Sequence, residues 1–130
     1  MGEQGLFPYL EYQDLTEAVR WLHNALGFDL LSASPEEEGA TLTSAVMKRA
    51  GGVIMLGTAA KKSVQKGQGI YIWTADPQGV FERAVQEGAK AVTPPEDDEN
   101  GKLRARVRDP EGHGWTFGAT EPGAGLVRKV

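Results

Sequence analysis

Arg108-Asp109-Pro110-Glu111-Gly112-His113-Gly114-Trp115-Thr116-Phe117-Gly118 is turn chemistry set between two alternating runs. Pro110 fixes φ for a turn, and glycine two residues later accepts a positive φ. Upstream, Leu103–Arg108 alternates apolar and basic residues. Downstream, Trp115-Thr116-Phe117 alternates aromatic and small polar residues. A period of two on both sides of a turn predicts a β-hairpin.

The same pattern occurs earlier in the chain. Gly51-Gly52-Val53-Ile54-Met55-Leu56-Gly57 overlays Gly112 to Gly118, an offset of 118 − 57 = 61. Tyr9-Leu10-Glu11-Tyr12-Gln13-Asp14 overlays Tyr71-Ile72-Trp73-Thr74-Ala75-Asp76, an offset of 76 − 14 = 62. Each of these runs leads into a helical pattern, and those patterns close at Gly27 and Gly88. The register predicts a duplication: strand, helix, then three strands, twice.

The first helix is predicted over residues 15–26. Asp14 and Glu17 form a capping box, Leu15, Val19, Leu22 and Leu26 form an apolar stripe, and Gly27 is the stop. Strands are expected at 7–13, 28–31, 40–48 and 53–56. The second half should place strands at 70–74, 89–93, 103–108 and 115–118, with Asp76-Pro77 opening its helix. Residues 94–101 read as an acidic loop and 59–68 as a mobile linker between the halves. The tail 121–130 receives no element.

At 130 residues the chain suits one compact domain, and each half alone would bury too little surface. A net charge of −4 and a pI near 5.2 disfavour nucleic-acid binding, which needs a basic face. The chain has no cysteine, so neither disulfides nor thiolate chemistry arise. No apolar run approaches membrane-spanning length. A cytoplasmic protein without membrane or nucleic-acid partners is expected.

The Asp14 helix entry, the Ala25-Leu26-Gly27-Phe28 exit and Asp109-Pro110-Glu111-Gly112-His113 before the last strand resemble the vicinal oxygen chelate superfamily. Glyoxalase I, bleomycin-resistance proteins, fosfomycin-resistance enzymes and extradiol dioxygenases belong to it. The resemblance implies an α+β fold of two tandem βαβββ modules whose mixed sheets curl into a cup. It implies a single domain over 1–130, with modules at about 7–58 and 69–120. Metal-dependent members carry one histidine, glutamine or glutamate ligand on the first and last strand of each module. Carried onto this sequence, those positions are Phe7, Met55, Ile70 and Thr116, none of which supplies an imidazole or carboxylate. No metal or other cofactor is therefore expected.

What remains is an apolar cup suited to an organic ligand. Strand alternation assigns Phe7, Tyr9, Glu11, Met55, Ile70, Ile72 and Thr116 to it, and sends Tyr71, Trp73, Trp115 and Phe117 to the helix side. Arg104, Arg106 and Arg108 share one strand face, where guanidinium groups could receive a carboxylate or phosphate. Glu11 is the one carboxylate expected in the cup, as an arginine partner or, more weakly, a general base. The implied function is metal-independent binding of a small organic molecule, anionic ones included, by a homodimer. Two alternatives stand beside it: a lyase, transferase or dioxygenase of the same fold, and sequestration of a cationic antibiotic such as bleomycin, for which the acidic run 96–99 would serve.

Overall fold

The computed structural model describes residues 5–61 and 67–123. The chain forms two compact units, residues 1–63 and 64–130. In the first, β1 (Tyr9–Tyr12), α1 (Leu15–Leu26), β2 (Asp29–Ser34), β3 (Ser44–Arg49) and β4 (Gly52–Thr58) follow in order. In the second, β5 (Gly69–Trp73), α2 (Pro77–Gln86), β6 (Lys90–Asp97), β7 (Leu103–Arg108) and β8 (Gly114–Gly118) repeat it. Each unit has its own open four-stranded sheet, ordered β1-β4-β3-β2 and β5-β8-β7-β6. The first strand runs parallel to the last, and the other pairs are antiparallel. This is the predicted α+β arrangement of two βαβββ modules. None of the described helices is long and apolar enough to cross a membrane.

Each helix covers one face of its sheet. α1 buries Leu15, Ala18, Trp21, Leu22, Ala25 and Leu26 against Ala45, Met47, Ile54 and Leu56. Asp14 accepts from the Glu17 N–H at its start, and Gly27, with φ of 75°, ends it. Arg49 Nε, reaching back from the end of β3, donates to the Leu26 carbonyl at 2.8 Å and satisfies an end-of-helix acceptor. In the second unit Ile72, Ala84, Ala105, Val107, Trp115 and Phe117 are buried.

The Asp-Pro-Glu-Gly turn is organised by one buried carboxylate. Asp109 Oδ1 accepts from the backbone N–H groups of Glu111 (3.1 Å) and His113 (3.0 Å). Its Oδ2 accepts from Trp115 Nε1 at 3.1 Å. The turn is thereby tied to the largest side chain of the second core. Sequence reading credits the proline and glycine for this turn, but the aspartate carries its hydrogen bonds. His113 contributes backbone atoms to it, as its N–H reaches Asp109 and its carbonyl accepts from the Asp109 N–H at 2.8 Å. His23 Nδ1 lies 2.8 Å from the Phe28 carbonyl, just past the end of α1.

Several boundaries differ from the sequence reading; β1 begins at Tyr9 rather than at 7, and β2 continues to Ser34 rather than ending at 31. β3 begins at Ser44 rather than at 40, and the stretch before it is held to α1 instead, where the Leu42 N–H donates to Thr16 Oγ1. β6 continues to Asp97, through Pro94 and Pro95, with two register shifts against β7. Pro94 and Pro95 fall inside the shift between the paired Thr93 and Glu96, so their missing donors cost the ladder no bond. The two hairpins also differ in register, since Arg106 pairs with Thr116 as Val46 pairs with Met55. Five residues lie between the paired Arg108 and Gly114 and four between the equivalent pair Lys48 and Val53, so Arg106 is the counterpart of Val46. Parts of the lead-in (1–4), the linker (62–66) and the tail (124–130) lie outside the described residues.

Asp98 holds the loop between β6 and β7. Its Oδ1 accepts from the N–H groups of Asn100 (2.8 Å) and Lys102 (3.0 Å), and its Oδ2 from Thr120 Oγ1 (3.3 Å). These bonds, led by that from Lys102 and aided by the Arg104 charge, hold its carboxyl below the ordinary value. A depressed carboxyl stabilises the fold above its unfolded pKa, about 4, and loses that contribution as pH falls through the folded value. The stability difference between wild type and Asp98→Asn should therefore be constant near neutrality and shrink below about pH 4. Urea denaturation across pH 3–7 checks this, and a difference that does not change with pH would refute it.

Candidate functional site

The face of each sheet turned away from its helix carries exposed aromatic and apolar side chains. In the first unit, Tyr9 pairs with Met55 and Glu11 with Gly57 across the β1–β4 ladder. Tyr9 (56% exposed) and Met55 (43% exposed) therefore share the outer face with Glu11. The Tyr9 ring lies over Gly57, where a Cβ would collide with its hydroxyl. That hydroxyl donates to Glu11 Oε2 at 3.2 Å. Its pKa is held above the ordinary phenol value by desolvation, then by the Glu11 hydrogen bond and charge. Phe7 is exposed in the lead-in just before β1.

In the second unit, Tyr71 pairs with Thr116 and Trp73 with Gly118, while Ile70 pairs with Trp115 and Ile72 with Phe117. Directly paired residues share a face, so Ile70 and Ile72 belong to the helix side, and Ile72 is 6% exposed. Tyr71 (40%) and Trp73 (54%) stand on the outer face. This inverts the alternation expected for β5. The slip is traceable: Phe7 is seven residues before Asp14, whereas Ile70 is six before Asp76. The 62-residue overlay of Tyr9 on Tyr71 already contained the right register, with Gly69 as the counterpart of Phe7. Tyr71 repeats Tyr9 in structure too, as its ring lies over Gly118 and its hydroxyl donates to the Thr120 carbonyl at 2.6 Å.

Arg106 lies on this same outer face. Its Nη1 donates to Thr116 Oγ1 and its Nη2 to the Gln68 carbonyl, both at 3.3 Å. Arg104 is exposed and pairs across the ladder with Glu96 and Gly118. Arg108 Nη1 donates to the Gly112 carbonyl at 2.8 Å. Of the expected residues, Tyr9, Glu11 and Met55 come together in one unit, and Arg104, Arg106 and Thr116 in the other.

The four places at which the resemblance implies metal ligands resolve, with the corrected register, to Phe7, Met55, Gly69 and Thr116. A benzyl group, a thioether, a glycine and a hydroxyl already bonded to Arg106 do not fit a divalent cation, which needs imidazole or carboxylate donors. Among the described residues, no three His, Cys, Asp or Glu side chains cluster where they could hold a metal ion.

Two βαβββ units, each with a parallel first and last strand and a helix on one face, define a duplicated α+β protein with an aromatic outer sheet face. The sequence model of the glyoxalase/bleomycin resistance protein/dioxygenase superfamily matches residues 10–117, and the chain belongs to that superfamily. No curated protein matches it in sequence. Among solved structures it is similar to TioX from Micromonospora sp. ML1, at 30% identity over 88% of this chain and 98% of that one, with a TM-score of 0.70. It is similar in fold to a point mutant of the fosfomycin resistance protein FosX from Listeria monocytogenes, complexed with Mn(II) and a dihydroxypropylphosphonic acid. There the identity is 16%, the coverage 94% of each chain and the TM-score 0.72. A point mutant of glyoxalase I from Zea mays shares the fold at 17% identity, over 88% of this chain and 44% of that one, with a TM-score of 0.72.

Proposed function

We propose that this protein binds a small organic molecule without a divalent metal, on the outer sheet face that carries Tyr71, Trp73 and the arginines. The observation that carries this reading is the exposure of two aromatic rings at successive outward positions of one ordered strand. Large aromatics are normally buried, and side by side on a rigid face they suit a planar ligand. The neighbouring guanidinium groups add polar anchors, as ligand sites require. Tyr9 and Met55 offer a comparable apolar surface in the first unit. Glu11 already takes the Tyr9 hydroxyl on one oxygen, which favours a structural role for it over that of a general base. The same reading includes a homodimer working in the cytoplasm.

Intrinsic fluorescence tests this directly. Trp21 and Trp115 are buried, whereas Trp73 is more than half exposed. A panel of aromatic acids, amines and neutral drugs should contain ligands that quench the exposed indole saturably, at one site and unaffected by EDTA. If no compound quenches, or if quenching requires an added divalent ion, the reading is wrong.

A further inference from the structure

We infer that Arg106 is a fixed receptor for an oxyanion, and that the ligand is an aromatic carboxylate whose acid group docks on it. This rests on the ligand-binding reading above and adds which arginine acts and what it recognises.

The Arg106 guanidinium is held in place without being neutralised. Its two hydrogen bonds go to a hydroxyl and a backbone carbonyl, both uncharged. Among the described residues it makes no ion pair. Room for it is made by two glycines: a Cβ on Gly114 would stand 2.6 Å from Nη2, and one on Gly69 would stand 3.3 Å from it and 2.8 Å from the Gly114 carbonyl oxygen. The guanidinium thus lies across a floor with no side chains, at one end of the β5–β8 pair. A guanidinium has five N–H donors in a planar fork, so two bonds leave donors for a carboxylate.

Its neighbours are engaged differently. Arg104 has Glu96 opposite it, and its charge acts on Asp98. Arg108 is bonded to the Gly112 carbonyl and has Lys90 opposite it. Arg106 alone of the three has uncharged residues on both sides, Thr93 and Thr116. Tyr71 and Trp73 follow Gly69 on the same face of β5. At about 3.3 Å per residue they lie roughly 7 and 13 Å along the strand from the glycine floor. A fused aryl ring with a directly attached acid spans the shorter of these distances. The position also explains Thr116, which orients the guanidinium at a place where the resemblance implies a metal ligand. A resident organic cation takes over the role of charge centre.

The test compares 2-naphthoate with its neutral isostere 2-naphthamide, by calorimetry on the full chain. The acid should bind at least about tenfold more tightly. Arg106→Gln should reduce that ratio to near one, Arg106→Lys should keep only part of it because the fork is lost, and Arg104→Gln should leave it intact. Circular dichroism confirms that each variant is folded. If Arg106→Gln does not fold, the wild-type ratio and the lysine variant decide. Equal binding of acid and amide overturns the inference, as does a ratio that survives Arg106→Gln or falls equally in Arg104→Gln. Failure of both naphthyl probes overturns it as well; if neutral drugs still quench Trp73, the ligand-binding reading survives that failure.

Discussion

Asp109→Ala is expected to lower the free energy of unfolding by about 3 kcal/mol, roughly a hundredfold loss in the folding equilibrium. The carboxylate is 3% exposed, and it accepts from Glu111 N, His113 N and the Trp115 indole. Truncation leaves these donors without that acceptor, two of them in a turn and one inside the core. A buried donor left without its acceptor costs about 1–3 kcal/mol, and water can repair only the donors that the turn lets it reach. Asp109→Asn keeps the shape and one oxygen, which can still serve the turn, but places an NH2 group against the indole N–H. Its loss should be smaller than that of alanine yet clear of error. Urea denaturation followed by circular dichroism measures both. A loss below about 1 kcal/mol for the alanine variant would show that the turn stands on Pro110 and Gly112 alone.

Trp73→Ala is expected to weaken aromatic ligands about thirtyfold, equivalent to about 2 kcal/mol, while barely changing stability. The two halves of that expectation have separate causes. An indole more than half exposed contributes little to the core, so its removal belongs with ordinary surface substitutions. On a rigid strand it loses little freedom when a ligand stacks on it, which is where aromatic contact residues derive their effect. Calorimetric titration of any compound that quenches the native fluorescence gives the comparison. Unchanged affinity across all such compounds would place the ligand away from β5.

Much of the fold was legible because local signals agreed with one another. Asp14, the stripe ending at Leu26 and the αL Gly27 mark one helix three times over, and the overlay of Gly51 to Gly57 on Gly112 to Gly118 marked the duplication. The Asp-Pro-Glu-Gly turn supplied the superfamily. Less of the site was legible. Side-chain direction in a strand is decided by parity, so one miscounted residue before Asp76 exchanged Ile70 and Ile72 for Tyr71 and Trp73. Hydropathy could not correct it, since isoleucine and tryptophan look equally suited to a core. Only the tertiary fact that Ile72 faces Phe117 under the helix distinguishes them. The Arg106 cradle was hidden for another reason: it depends on Gln68 and Gly69, which approach only through the parallel β5–β8 pairing, far away in sequence.

The prolines of β6 have a consequence for life at high concentration. An open sheet offers its outermost strand as a template on which a foreign chain can add, and long uninterrupted edges nucleate cross-β growth. β6 is one of the two edge strands of its sheet, and Pro94 and Pro95 remove donors from it, while the register shifts beside them spoil its flatness. In the first unit, β2 occupies the same outer place and carries a register shift between Leu30 and Ser32. One of the two edges of each sheet is therefore a poor seed, which lowers the risk of fibre growth from that edge in a protein that displays aromatic rings on an open face.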